Sequence, residues 1–600
     1  MRSAVRQWGI KSGDSLDPII QLLIDAYCEL AYENENSIED IKERLLEQIA
    51  ASLTPDSMIA GKPSHSVLQV MPTEPETEID RQTLFYTNRP TAAAIKYGMK
   101  TLSFAPVVNH VKLAKTEVRH ILCERNLYRI GLYGEKELLT KANAFYQDLN
   151  NTVWVGLNVD EHVKNLQGVH FYIDFPNTPT KHELYSLLSH TVWSIDGQTL
   201  IMDPGLAEAE TDVSISGGIF SYYNHLQTND DEVMELYRKQ FLHIREVVKV
   251  SGLTRTPFPT ELLPYFPERV KTLEADYWIK VAFPAYFKQD DLDDLMISMN
   301  AIPVTNKNIR TYHLYGSRSL TGILPLPVQT AGEYFLSVED VEDSHGMIYN
   351  FLPYTLTEAP LGGTYTIKRG GLERFSTRDL KNMVDQFLNM LRTELVTFIA
   401  LKIDNINNSI VEMEQIIRVI QDKIEGNNPI VREKQTYLLI DMEDEKKDVD
   451  ITADYWTTNC DLANGLPYGT LFTPLKGPPL EKDSCFLLKT TSGGKSIPRK
   501  EEALMAYKYA LTTRDQLFSG RDIENYCKVK YPGYLKRIHV QRGIACSSKP
   551  LEGLIRTIDV CLAPISKYAE HFDSIALGEL KTELEKRSPD TYNYRILIEN

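Results

Sequence analysis

No CxxC pair, no long apolar run, no low-complexity tract and no internal repeat of 20 to 50 residues occurs in this 600-residue chain. Its seven cysteines, Cys28, Cys123, Cys460, Cys485, Cys527, Cys546 and Cys561, are odd in number and far apart, which fits reduced thiols in a cytosolic protein rather than a disulfide framework. The most apolar stretches, such as Leu16 to Ala31, are interrupted by Asp25 and Glu29 and fall short of the roughly 20 residues that span a bilayer. Met1 to Ile10 carries two arginines but no following apolar core, so export through a signal peptide is not expected. Excess positive charge is lacking too. A net charge of -17 argues against duplex nucleic-acid binding, which needs a concentrated Lys/Arg surface to displace counterions.

What is present is ordinary globular composition, 42% hydrophobic and 24% charged, in a chain several domains long. The reading is α+β and multidomain. Residues 1–60 form an N-terminal helical pair. Leu16, Ile19, Ile20, Leu23, Ala26, Tyr27 and Leu30 keep the spacing of one helical face, and a second helix starts at Ser37 and stops at Pro55. Residues 61–255 and 256–372 read as two β-rich domains, with strands at Val67 to Met71, Val153 to Asn158, His170 to Phe175 and Tyr277 to Phe283.

Residues 373–428 hold a long helix. Val396, Ile399, Ile403, Ile406, Ile410, Met413, Ile417, Ile420 and Ile424 alternate at three-and-four spacing, a heptad seam ended by Gly426-Asn427-Asn428-Pro429. This coiled-coil seam is the candidate partner interface. Residues 429–500 are a β-rich connection. Residues 501–600 form a small α+β sandwich: a helix over Glu502 to Tyr509, a second capped by Ser519, and strands at Lys536 to Gln541, Leu554 to Ala563 and Tyr592 to Ile598.

Four strings approach a chemical motif without completing it. Ser492-Gly493-Gly494-Lys495-Ser496 ends like a phosphate-binding loop, but Lys489 stands where its first glycine belongs, so a flexible loop is expected. His182-Glu183 begins a zinc-protease pattern that Ser186 leaves without its second histidine. Asp290, Asp291, Asp293 and Asp294 lack the glycine turn and distal Glu of a calcium loop and read as a solvated helix start. Gly362-Gly363 and Gly370-Gly371 bracket a strand and lack dinucleotide-fingerprint spacing. No catalytic, cofactor-binding or metal site is expected.

Several strings, in order, resemble the TssF (VasA) family of type VI secretion baseplate proteins. They are Asp17-Pro18 to Tyr27 with Pro63-Ser64-His65 after the helical pair, Trp278-Ile279-Lys280-Val281-Ala282-Phe283-Pro284, Asn300-Ala301-Ile302-Pro303-Val304-Thr305-Asn306, Trp456-Thr457-Thr458-Asn459-Cys460-Asp461-Leu462, and Leu511 to Asp515, which opens a terminal part similar to J-like phage baseplate wedge proteins. The chain departs from the family in Thr83 to Thr87, where an Arg-rich strand is usual, in Ala301, where a cysteine is usual, and in its tail, Asn593 to Asn600. A divergent branch is implied. The resemblance implies a structural wedge protein, not an enzyme, with two copies joining one TssG and contacting TssK, TssE and the spike protein at the hub. It implies no cofactor, no nucleic acid, no direct membrane insertion, and assembly in the cytoplasm at the inner face of the inner membrane. On that reading Asn300, Pro303 and Asn306 are turn formers, and Trp278 and Trp456 are core anchors. The alternatives are a wedge of a phage tail or extracellular contractile particle, and an enzyme whose site is assembled from distant residues.

Overall fold

A computed structural model describes residues 61–131, 133–143, 151–178, 181–207, 225–273, 276–314, 323–328, 332–351, 363–369, 436–441, 450–497, 500–513, 516–547, 553–572, 574–589 and 591–599. The N-terminal helical pair and the heptad residues Val396 to Ile424 lie outside them, as do the string Asp17 to Tyr27 and Gly362, Gly370 and Gly371. Mixed α+β with strands predominating is the observed class. The described chain divides into one unit over Gly61–Ser496 and another from Ile497 onward.

In the first unit, a six-stranded sheet runs in the order Thr473–Lys476, Leu84–Thr87, Leu102–Pro106, Ala301–Thr305, His65–Gln69, Phe486–Leu487. A seven-stranded sheet is built around Thr152–Val159 and Tyr277–Ala282, and a four-stranded one around His170–Asp174. Strands from 61–255 and from 256–372 alternate within these sheets: His65 pairs with Thr305, Tyr277 with Leu157, and Phe171 with Met299. They therefore share their cores. Thr152–Val159 and His170–Asp174 are buried along nearly their whole length, which is why they read as unbroken apolar runs rather than alternating ones.

Further along, Asn308–Leu314, Ile451–Thr458 and Tyr334–Asp343 form a three-stranded antiparallel sheet. Its buried face packs Val341, Ala453 and Tyr455 against Leu324, Leu438 and Tyr365 of a neighbouring sheet.

The second unit carries a three-stranded sheet, Leu535–Cys546, Leu554–Pro564 and Tyr594–Ile598, the last pairing parallel. Ser519 caps the helix Gly520–Lys530 by accepting the Asp522 amide while the Asp522 carboxylate accepts that of Ser519, the reciprocal cap that a Ser-x-x-acid string predicts. Ile523, Cys527, Leu580 and Leu584 of two helices bury against Val560 and Leu562. On the opposite sheet face, Asp559 is held by Arg595 through two bonds of 3.1 and 2.5 Å, and Gly543 lies directly over that carboxylate, leaving no room for a Cβ.

Candidate functional site: a hub around one buried strand

Three of the strings that carry the family resemblance, Pro63-Ser64-His65, Asn300 to Asn306 and Trp456 to Leu462, meet around Ala301–Thr305, a fully buried strand of the six-stranded sheet. Asn300 precedes it with φ 54°, a left-handed conformation that asparagine tolerates better than most residues. Its side chain is 2% exposed in total residue terms and uses both ends. Oδ1 accepts the Ala114 amide at 3.1 Å, while Nδ2 donates to the carbonyls of Ala114 (2.7 Å) and Thr116 (2.9 Å). A turn former it is, as expected, and also a clamp on the segment that leads into Thr116–Cys123.

At the other end Asn306 does the equivalent. Its amide donates to the Ser64 carbonyl at 2.7 Å; its Oδ1 accepts from the Asn459 amide (2.7 Å) and the Thr458 hydroxyl (3.1 Å); its Nδ2 donates to the Ser103 carbonyl (2.9 Å). One buried residue, through its backbone N–H and its side-chain amide, thus joins Pro63-Ser64-His65, the Leu102–Pro106 strand and Trp456 to Leu462. Asn306 is more than a turn former.

Pro303 corrects the expectation outright: it lies mid-strand, opposite Val67, in no turn. The strand tolerates it because Leu102–Pro106 pairs only with Val304 and Thr305, and the Pro303 carbonyl receives the Val107 amide instead, so no ladder bond needs the missing N–H.

Trp456 and Trp278 are both buried. The Trp456 indole donates to Glu339 at 2.6 Å and takes the Lys307 ammonium 5.2 Å above its ring. Lys307, fully buried, reaches Asp230 at 3.1 Å, and Arg81 lies 4.0 Å from the same carboxylate. Burial pushes the Asp230 carboxyl up against the pull of both cations. Asp230 sits on the helix His225–Arg238, whose Glu232 bonds Lys62 (2.9 Å) and whose Tyr237 hydroxyl meets His65 Nδ1 (2.9 Å). This cluster gave no signal in sequence, since its members lie 77 to 172 residues apart. Trp278 packs edge-on to Phe258 and stacks on His120.

The remaining candidates fall into structural roles. Ser492 to Lys495 is not a loose loop. Ser492 bridges His65, Lys495 bridges Lys62, and Asn464 holds Gly494 at both its amide and its carbonyl. A Cβ on Gly494 would collide with the Cys460 carbonyl, so the glycine is there for close backbone approach. His182 and Glu183 lie on the helix Lys181–Leu187, where Glu183 accepts the Tyr286 hydroxyl at 2.9 Å.

The acidic cluster begins the helix Gln289–Asp293. Asp291 caps it, whereas Asp294 leaves the solvated reading and clamps Asn177 and Thr178. Beside Asp293, burial and the nearby carboxylate push the Cys123 thiol up, which keeps it protonated and poorly nucleophilic. His170 is wholly buried, and desolvation lowers its imidazole to about 4. Among the described residues no group of three or more His, Cys, Asp or Glu could hold a metal ion, no helix is long and apolar enough to cross a membrane, and five cysteines are free and buried. This arrangement can fix strand positions rigidly.

No family model and no curated protein matches the chain. Among solved structures, it is similar to a chain of the type VI secretion system TssK-TssF-TssG baseplate subcomplex determined by cryo-electron microscopy, at 11% identity and a TM-score of 0.44, covering 96% of each chain. It is also similar to a chain of the baseplate complex from the type VI secretion system, at 12% identity and a TM-score of 0.36, covering 100% of this chain and 92% of that one.

Proposed function

We propose that this chain is a structural wedge subunit of a type VI secretion baseplate, of the TssF kind. The observation that carries the reading is the convergence of three of the family-like strings on one strand. Ser64, Asn300 to Asn306 and Thr458-Asn459, the second and third strings 152 residues or more apart, close on each other through Asn306, whose backbone N–H meets the Ser64 carbonyl and whose side chain holds Thr458 and Asn459. The two asparagines of the central string direct their side-chain amides mainly to backbone groups of neighbouring strands, which serves shape rather than turnover.

In this role two copies join one TssG, the wedge contacts TssK and TssE, and a ring of wedges surrounds the spike protein beneath the tube and sheath. The heptad residues Val396 to Ile424 supply the contact with TssG and the second copy: isoleucine at both seam positions favours three or four strands over two, and two copies plus one TssG give three. No cofactor enters. The work is mechanical, performed in the cytoplasm at the inner membrane.

Affinity capture of the tagged full-length chain from its native cell, with mass spectrometry, tests this. TssG and TssK are the expected co-purifying proteins. Recovery of phage tail proteins instead would move the chain to a phage-like particle, and recovery of neither, with turnover in a hydrolase screen lost on a point substitution, would overturn the wedge reading.

A further inference from the structure

The Leu535–Cys546 and Leu554–Pro564 strands outrun their neighbour. Tyr594–Ile598 pairs only with Ile558 to Leu562, so Gly543 to Cys546 and Leu554 to Thr557 continue as a two-stranded ribbon. Register places Arg542 and Ile544 on the face that holds Ile538 and Val540 in the core, with Arg556 opposite Ile544 and Leu554 beyond it. All four are exposed, Ile544 at 65% and Leu554 at 71%. Among the described residues neither arginine has an ion-pair partner, while Lys530, Lys581 and Arg595 of the same unit each have one.

A complementary surface exists on the three-stranded sheet of the other unit. Asp340 lies directly opposite Asp454, and Glu342 opposite both Thr452 and Ile348. With Val341 and Ala453 turned to the core, these carboxylates share the outer face, Asp340 and Glu342 exposed, Asp454 half-buried, and Ile348 exposed at 61%. Like charges directly opposite in a ladder are destabilising, and no cation pairs with any of the three among the described residues.

We propose that the ribbon face of Arg542, Ile544, Leu554 and Arg556 docks on the sheet face of Asp340, Glu342, Asp454 and Ile348 in a second copy of this chain. Charge and pattern select the occupant. Two exposed aliphatic side chains beside two arginines gain nothing from a phosphate backbone, whereas the acidic face supplies both the carboxylates and an exposed isoleucine. Because two different patches meet, the contact is head-to-tail and propagates to a ring or a filament. It goes beyond the wedge reading, since it needs only two copies of this chain.

The test is capture of a soluble full-length chain by a differently tagged immobilised one, at low and high salt, for wild type, R542E/R556E and D340K/E342K. Thermal unfolding of each variant is recorded alongside, all four positions being exposed. Each variant captured by itself is expected to bind about tenfold more weakly or worse, as loss of interface arginines commonly does. Mixing R542E/R556E with D340K/E342K sets the unaltered ribbon of one against the unaltered sheet face of the other, and the two reversed faces against each other, and restores salt-sensitive capture. Unchanged self-capture of either variant, or failure of the mixture to recover, overturns the proposal. So does loss of single-stranded oligonucleotide binding in R542E/R556E with copy-to-copy capture intact. TssG co-purification measured in the same variants separates the two readings: it should persist when the head-to-tail contact is lost.

Discussion

Replacing Asn306 with alanine removes one side chain from the interior and should do disproportionate damage. The residue is 1% exposed, and its amide serves the Asn459 amide, the Thr458 hydroxyl and the Ser103 carbonyl. Deleting it leaves at least one buried N–H and one buried carbonyl without these partners, at about 1 to 3 kcal/mol each, and opens a small cavity besides. A loss of about 2 to 5 kcal/mol follows, large beside the ~5 to 15 kcal/mol that holds a typical domain. Asn306→Asp is the sharper probe: it keeps the volume and both acceptor bonds but sets a carboxylate oxygen against the Ser103 carbonyl. Calorimetry of the full-length chain should show the transition of Gly61–Ser496 shifted down in both variants, with that of the residues after Ile497 unmoved. Hydrogen exchange should rise in peptides covering Leu102–Pro106 and Ile451–Thr458. A variant within about 0.5 kcal/mol of wild type, the scatter of ordinary surface changes, would refute the hub.

Three more outcomes are expected. His170, buried and lowered from 6.5 to about 4, is neutral in the folded chain where the unfolded chain is protonated; stability is therefore complete above about pH 6.5 and falls by about 3 kcal/mol as pH drops toward 4. His170→Gln should flatten that part of a stability-against-pH curve, and an unchanged slope would count against it. Gly543→Val should force Asp559 off Arg595 and cost about 1 to 3 kcal/mol in the second unit's melting, with Ala545→Val as the mild control. Ile410→Asp with Ile417→Asp should abolish co-purification with TssG, since each buried isoleucine contributes roughly 1.5 to 3 kcal/mol; retained binding with a collapsed melting temperature would make the seam an internal core helix.

Local grammar was readable wherever one element carried its own signal. The buried strands Thr152–Val159 and His170–Asp174 announce themselves as apolar runs, and Ser519 with Asp522 marks a helix start within about a residue. Both tryptophans were rightly placed in the core. Partnership was not readable. Nothing near Pro303 says that its neighbour strand begins pairing one residue later, so proline's usual preference for turns misled. Likewise Ser492 to Lys495 is tied down by Lys62, His65 and Asn464, contacts invisible to a local reading of glycines. Buried Asp230 and Lys307 look like any two surface charges until the fold sets them 3.1 Å apart.

The six-stranded sheet also has a timetable. His65–Gln69 lies between Ala301–Thr305 and Phe486–Leu487, so its ladder cannot close until residue 487 has left the ribosome. At roughly 5 to 20 residues per second, the interval after Gln69 emerges is on the order of 20 to 80 s, during which the strand waits with both edges open until Thr305 follows and with one open thereafter. Pairing across such separations is slow even in a released chain. Nascent chains of this protein should therefore be strong clients of ribosome-associated chaperones, and truncation anywhere before Phe486 should yield aggregates rather than a smaller folded fragment.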